Sequence, residues 1–163
     1  MTGRKDSTTT APNEIGGATR RAELVLVGAH YDSVRGAPGA TDNGSGVAAV
    51  LELARAAREW RPARTWRFVL FVNEEPPFYK TGQMGSRVHA ERARSRGERI
   101  VAMYSLETIG WYSDAPDSQK YPFPFSWFYP DRGDFLAFVG NLPSRALLHA
   151  TIAAFRTRAQ FPS

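Results

Sequence analysis

The sequence predicts an α/β fold of three layers, in which a mostly parallel central sheet is flanked by helices. Short and nearly continuous apolar runs alternate with segments at helical spacing, which is the pattern of parallel strands joined by crossover helices. Continuous apolar runs also indicate strands that are buried on both faces. Polar side chains follow the ends of these runs, and sites in open sheets of this kind gather at the carboxyl ends of the strands.

The first half of the chain predicts two strands with a helix between them. In the helical segment the apolar residues recur three and four positions apart, which places them on one face. Asp42 or Asn43 offers a side chain that can cap the first turn of this helix, and Pro62 ends the segment. In order, the predicted elements are a strand over residues 23–29, a loop over 30–41, a helix over 43–60 and a strand over 66–72.

The second half of the chain predicts two more helices and two more strands. The first helix is polar and is closed by Gly97, because glycine favours the conformation that follows a helix end. The last helix has Pro143 near its first turn, where proline is well tolerated. In order, the predicted elements are a loop over 73–85, a helix over 86–95, a strand over 99–106, an aromatic-rich loop over 111–131, a strand over 135–139 and a helix over 143–156.

The composition narrows the classes of function. The chain has no cysteine, which excludes disulfide scaffolds, cysteine-ligated zinc and thiol catalysis. Any metal must therefore be held by nitrogen and oxygen ligands. The net charge is +5, but the arginines are scattered rather than collected into the stripe that nucleic-acid binding requires. We therefore expect no nucleic-acid partner.

The predicted organisation is a polar, disordered lead-in over residues 1–22 followed by one domain over 23–163. No apolar run approaches the roughly 20 residues that span a bilayer. The first twenty residues lack the apolar stretch of a signal peptide. We therefore expect neither a membrane segment nor a secretion signal, and the sequence predicts no compartment and no oligomeric state.

Histidine and carboxylate residues occur where these strands end. His30, the pair Glu74-Glu75 and Glu107 each follow a predicted strand, and Asp42 lies at the start of a helix that faces the same edge. A catalytic zinc takes three His or carboxylate ligands, and a two-metal site adds a bridging carboxylate. Adjacent side chains on an extended backbone point to opposite sides, so one glutamate of the pair can face a metal and the other a water.

Four stretches, "GAHYDSV…GATDNGSGVAAVLELAR…FVLFVNEEPPFYKTGQMGSRVHA…LETIGWYSD", carry a family resemblance over about residues 23–114. In this order and spacing they closely resemble the M28 family of zinc peptidases, the leucyl-aminopeptidase-like group. The resemblance implies a globular α/β fold with a mixed central sheet and two zinc ions. It also implies hydrolysis of a peptide substrate, most simply as an aminopeptidase that releases N-terminal residues through a zinc-activated water.

The resemblance further implies a role for each of six side chains. Two would be catalytic, with Glu74 as the general base and Asp32 as the acid that orients the imidazole of His30. The other roles concern metal binding: His30 and Glu107 hold the first zinc, Asp42 bridges both ions, and Glu75 holds the second.

The chain departs from the family pattern at the second zinc, which takes a further histidine from a downstream segment. Only His89, in the predicted polar helix, and His149, on an apolar helix, remain, and neither matches that position. Family members also have more sheet and helix before residue 24, so a fragment shortened at both ends is expected. The alternatives left open are an impaired fragment or binding module of the same fold, and a carboxypeptidase-like or glutaminyl-cyclase-like relative. The loop 111–131 is either a substrate wall or a lid.

Overall fold

A computed structural model describes residues 13–163, and within them four strands form one sheet in the order β1-β3-β2-β4. Strand β2 runs parallel to both of its neighbours, whereas β1 is antiparallel to β3. The predicted α/β fold with a mostly parallel sheet is therefore confirmed. The strands are β1 Glu14–Ile15, β2 Arg20–His30, β3 Arg64–Phe71 and β4 Arg99–Ser105.

Three helices of eleven residues or more accompany the sheet in the described part of the chain. Two of them agree with the sequence to within two residues, but the first is shorter at both ends than predicted. Its expected start lies in an irregular turn, Ala40–Ser45, and its expected end is a 3-10 turn, Ala57–Glu59. The helices are α1 Gly46–Ala56, α2 Gly85–Ser95 and α3 Arg145–Arg158, the last preceded by the 3-10 turn Leu142–Ser144.

The core of the sheet lies between β2, β3 and α1. Val27 and Ala29 on β2 form one buried cluster with Val50 on α1 and Phe68 on β3. Strand β2 is flanked on both sides, so every residue from Leu24 to its end is buried. This rigid central strand ends at His30, which carries the imidazole to the edge of the sheet.

The prediction of a disordered lead-in over residues 1–22 is wrong at two places. Residues Glu14–Ile15 form β1, and β2 begins at Arg20. The backbone N–H of Phe68 donates to Asn13, whose side-chain amide donates back to the Phe68 carbonyl, both at 3.0 Å. Arg67 pairs with Glu14 at 2.6 Å and secures β1. Residues 1–12 of the predicted lead-in lie outside the described residues.

The chain divides into two compact units, one ending at Gly110 and the other spanning Trp111–Ser163. The first holds the sheet with α1 and α2, and the second holds the aromatic segment and α3. The expected single domain over 23–163 stays a prediction. No helix among the described residues has the length and apolar character that crossing a membrane requires.

The strand predicted over 135–139 is wrong. Within the second unit this segment has no partner strand, and the Leu136 N–H donates instead to the carbonyl of Pro162. Phe138 packs edge-on against Phe155 of α3, with ring centroids 5.2 Å apart. The apolar residues that suggested a strand are therefore explained by packing on a helix.

Candidate functional site

The residues that follow the three parallel strands meet at one edge of the sheet. His30 ends β2, the pair Glu74-Glu75 follows β3, and Glu107 follows β4. Because these strands are parallel neighbours, their carboxyl ends lie side by side. Asp42 reaches the same place from the turn that precedes α1. The structure thus brings together residues that lie up to 77 positions apart.

The imidazole of His30 is the centre of this cluster. Its ring is 3% exposed, and Nε2 lies 3.1 Å from Asp42 Oδ1 and 3.2 Å from Glu107 Oε1. A carboxylate oxygen of Glu74 is 4.0 Å from the same nitrogen. Three carboxylates therefore face one nearly buried nitrogen, which is a typical arrangement of ligands around a cation.

The other ring nitrogen of His30 is held by the backbone. Nδ1 lies 3.0 Å from the carbonyl oxygen of Asp32 and 3.6 Å from its carboxylate. Since a carbonyl only accepts, Nδ1 carries the proton and Nε2 is directed at the carboxylates. The orientation that the resemblance assigns to the Asp32 side chain is thus supplied at shorter range by the Asp32 main chain.

The carboxylate of Asp32 serves a different pair of groups. It accepts the backbone N–H of Glu74 at 3.2 Å and that of Glu75 at 3.1 Å. Burial alone would raise the pKa of Asp32, but these backbone donors outweigh burial and lower it. Asp32 therefore remains charged and fixes the loop that carries both glutamates.

Burial and neighbouring charges set the protonation of the remaining groups. Burial raises the pKa of Glu74, and the attraction of His30 only partly offsets this, while the nearby carboxylates of Glu107, Glu75 and Asp32 raise it further. Burial would lower the pKa of His30, yet its hydrogen bond to Glu107 and the surrounding negative charge raise it overall. Glu74 thus has an elevated pKa beside a potential cation site, as a general base requires.

The ligand atoms have the spacing of a zinc shell. Two triads place their ligand atoms within 4.8 Å of one another, His30–Asp42–Glu107 and His30–Glu74–Glu75. Zinc–ligand bonds of about 2.0–2.1 Å in a tetrahedral shell separate neighbouring ligand atoms by about 3.3 Å. The 3.1 and 3.2 Å separations at Nε2 match this value. The first triad therefore fits zinc, whereas the second depends on the same histidine.

The two remaining histidines make other contacts. His89 on α2 packs edge-on against the ring of Phe71, with centroids 5.7 Å apart, and burial lowers its pKa. His149 accepts a hydrogen bond from Arg145 one turn earlier in α3. Neither contact involves a group of metal-binding type.

Asn43 is a site residue for which sequence reasoning predicted no function. The sequence favours it as a cap for α1, and its Oδ1 accepts the N–H of Gly46 at 3.1 Å. Its amide nitrogen also donates to Glu107 Oε2 at 3.3 Å. A small polar residue directly after Asp42 was the available signal, but the contact joins residues 64 positions apart.

The aromatic segment belongs to the second unit and exposes much of its surface. The rings of Phe123 and Trp127 pack edge-on with centroids 5.0 Å apart, and the ring centroids of Tyr121 and Tyr129 are 5.2 Å apart. Trp127 and Phe128 are about three-quarters exposed, at 74% and 75%. Its predicted use as a substrate wall or as a lid stays a prediction.

Comparison with known proteins identifies the family to which the chain belongs. The model of Peptidase family M28 matches residues 13–128. Over 128 residues the chain is 47% identical to the uncharacterized protein YfbL of Escherichia coli (strain K12), covering 73% of this chain and 39% of YfbL. It is 33% identical to a probable zinc metalloprotease of Pyrenophora teres f. teres (strain 0-1), covering 63% of this chain and 23% of that protein.

A solved structure shows the same fold. The aminopeptidase from Aneurinibacillus sp. strain AM-1 superposes with a TM-score of 0.52 at 31% identity, covering 64% of this chain and 25% of that one. The chain therefore spans two-fifths or less of the length of each of these relatives.

Proposed function

The chain belongs to peptidase family M28, and on this premise we propose that it carries the metal site of a zinc-dependent aminopeptidase, which releases N-terminal residues from peptides. The observation that carries the proposal is the pair of separations at His30, where Nε2 lies 3.1 Å from Asp42 and 3.2 Å from Glu107. The names of the relatives, an aminopeptidase and a probable zinc metalloprotease, support the same chemistry.

His30, Asp42 and Glu107 would hold the first zinc, and Asp42 has a second carboxylate oxygen with which it could bridge to another ion. Glu75 would contribute to that second ion. When bound, zinc lowers the pKa of a water and polarises the carbonyl that is attacked. The backbone carbonyl of Asp32 keeps the proton of His30 on Nδ1, so that Nε2 remains available as a ligand.

Glu74 would act as the general base. Its carboxylate is 4.0 Å from His30 Nε2, which is close to the metal ligands without contacting them. It would take the proton of the attacking water and pass it to the leaving amine. The Asp32 carboxylate accepts the backbone N–H of Glu74. The Glu74 carboxylate is therefore positioned before substrate arrives.

A second candidate function, zinc binding without peptide hydrolysis, is favoured by the few possible metal ligands around Glu75. Among the described residues the only histidine in its triad is His30, which also belongs to the first triad. A chain that binds one zinc without hydrolysing peptides would be an impaired fragment or a binding module of the same fold. Zinc content and activity, measured together, distinguish the two functions.

The proposal is tested by comparing Glu74→Gln with the unaltered chain on aminoacyl p-nitroanilides. The amide cannot accept the proton, so the rate should fall at least about 100-fold while the zinc content stays the same. Glu91→Gln is the matched control, because Glu91 is an exposed partner of Arg87 on α2, and its rate should not change. Equal rates in Glu74→Gln and the unaltered chain would contradict the proposal.

Two further readings of the same assay separate the alternatives. Cleavage of free-amine substrates but not of N-blocked ones supports an aminopeptidase over a carboxypeptidase-like or cyclase-like relative. Bound zinc without any hydrolysis supports the impaired fragment or binding module.

A further inference from the structure

Asn43 is the most deeply buried polar side chain at the site, although none of the expected chemical roles falls to it. It is 1% exposed, while the neighbouring Asp42 side chain is 57% exposed. Burying an amide costs free energy unless its hydrogen bonds are made. The surroundings of Asn43 therefore have to satisfy it, and the partners that do so include Glu107.

All the hydrogen-bonding positions of the Asn43 amide are used. Its Oδ1 accepts the backbone N–H of Gly46 at 3.1 Å and that of Thr108 at 3.2 Å. Its Nδ2 donates to the carbonyl of Leu106 at 2.8 Å and to Glu107 Oε2 at 3.3 Å. An amide offers two donors and two acceptor positions, so a single rotamer and a single flip state satisfy this site.

These bonds fix the rotation of the Glu107 carboxylate. Asn43 holds Oε2, while Oε1 accepts the hydroxyl of Thr108 at 3.0 Å and lies 3.2 Å from His30 Nε2. The Glu107 side chain is 50% exposed, and a half-exposed glutamate without such ties has considerable rotamer freedom. One oxygen is therefore presented to the imidazole and the other is turned away.

We propose that Asn43 is a positioning residue of the zinc site, which holds Glu107 so that a single oxygen faces His30 and Asp42. The inference rests on the proposed function, since it takes these three side chains as zinc ligands. Partners that orient a ligating carboxylate typically change metal affinity by about 10–100-fold when they are removed. Asn43 should accordingly control the affinity for zinc as well as the stability of the fold.

Ser45 provides a matched control for a purely structural role. Its hydroxyl donates to the carbonyl of Thr41 at 2.6 Å and accepts the N–H of Ile109 at 3.1 Å. Like Asn43, it ties the turn before α1 to the segment after β4, but it does not contact Glu107. Loosening this junction through Ser45→Ala should lower stability and leave zinc affinity nearly unchanged.

The test uses Asn43→Asp and measures zinc affinity by competition with a chelator. Aspartate retains the acceptor for Gly46 and Thr108, but it replaces the donor to Glu107 with a negative charge. The added charge by itself would attract a cation, so a fall in affinity must come from the loss of positioning. We expect zinc binding to weaken about 10-fold or more, with the thermal midpoint of the metal-free protein measured in parallel.

The outcomes separate this inference from the proposed function. If the unaltered chain binds no zinc, both are overturned. If the unaltered chain binds zinc and Asn43→Asp binds it equally or more tightly, only the role of Asn43 is overturned. A loss of affinity in Ser45→Ala that matches the loss in Asn43→Asp would also overturn it, because loosening the junction would then explain both.

A second measurement on the unaltered protein covers the case in which Asn43→Asp does not fold. The chain has four asparagines, of which Asn13 and Asn141 are exposed, Asn73 is half-buried and Asn43 alone is buried. With nitrogen-15 in asparagine alone, the slowly exchanging side-chain amide signal identifies Asn43. Zinc should shift this signal because Glu107 becomes a ligand, and an unchanged signal in zinc-bound protein would overturn the inference.

Discussion

At the scale of single residues, Asp32 links the two halves of the site. Its main-chain carbonyl sets the proton of His30, and its carboxylate holds the N–H groups of Glu74 and Glu75. One residue thus orients the His30 imidazole and the loop that carries both glutamates. Its carboxylate is effective only while it is charged, which makes its contribution dependent on pH.

Asp32→Asn should therefore destabilise the zinc-free protein at neutral pH but not in acid. The folded pKa of Asp32 lies below its ordinary value of 3.8 because of the two backbone donors. Its stabilising effect is present above about pH 4 and is lost as pH falls through the lowered folded pKa. We expect a loss of about 1–2 kcal/mol at pH 7, reduced for partial exposure, in denaturant unfolding. An equal loss at pH 7 and pH 3 would contradict this role.

The sequence could predict that His30 and the carboxylates lie at one edge of the sheet, because each of them follows a strand or precedes a helix. It could not predict the Asn43 amide, whose bonds to Leu106, Glu107 and Thr108 span 63 to 65 positions. It also could not show that Asp32 reaches the imidazole with its main chain. Such contacts depend on how loops meet, and no local pattern records them.

At the scale of elements, the packing of α1 supports the site from beneath. Val50 is 1% exposed and belongs to the cluster between α1, β2 and β3. The same helix begins directly after the turn that carries Asp42 and Asn43. A firm contact between α1 and the sheet therefore keeps these two residues near the end of β2.

Val50→Ala should lower the free energy of unfolding by about 2 kcal/mol, because it removes buried methyl groups and leaves a cavity. Leu51→Ala is the matched control on the next position of α1, where the side chain is 57% exposed. Its effect should stay within about 0.5 kcal/mol. Denaturant unfolding at one pH measures both, and equal effects of the two substitutions would contradict the assigned core.

The elements that the sequence predicted well have strong local signals. Helix α2 was expected over 86–95 and is formed over Gly85–Ser95. The strand expected over 135–139 failed because a short apolar run looks the same whether it pairs with a strand or packs on a helix. In the folded unit, Phe138 of this run packs on Phe155 of α3, which decides in favour of packing on a helix.

At the scale of the whole molecule, β4 leaves one edge of the sheet open in the described part of the chain. It pairs with β2 alone, and Ile100, Val101 and Met103 are more than a third exposed. An exposed apolar edge strand can pair with strands of other molecules. The chain covers 23–39% of the length of the relatives with which it was compared.

Val101→Lys should therefore raise the highest concentration at which the chain remains monomeric, because a charge on an edge strand opposes pairing with another strand. Val139→Lys is the matched control, since Val139 is 91% exposed and lies outside any strand. Light scattering across a concentration series measures both variants. An equal effect of the two lysines would assign the improvement to net charge rather than to the edge.

The central claim is that His30 belongs to a zinc site. The most direct test measures zinc binding, in competition with a chelator, by the unaltered chain, by His30→Ala and by His149→Ala. The geometry at Nε2 of His30 predicts that the unaltered chain binds zinc tightly, that His30→Ala loses this binding and that His149→Ala keeps it. Tight zinc binding that survives His30→Ala would contradict the assignment of the metal site.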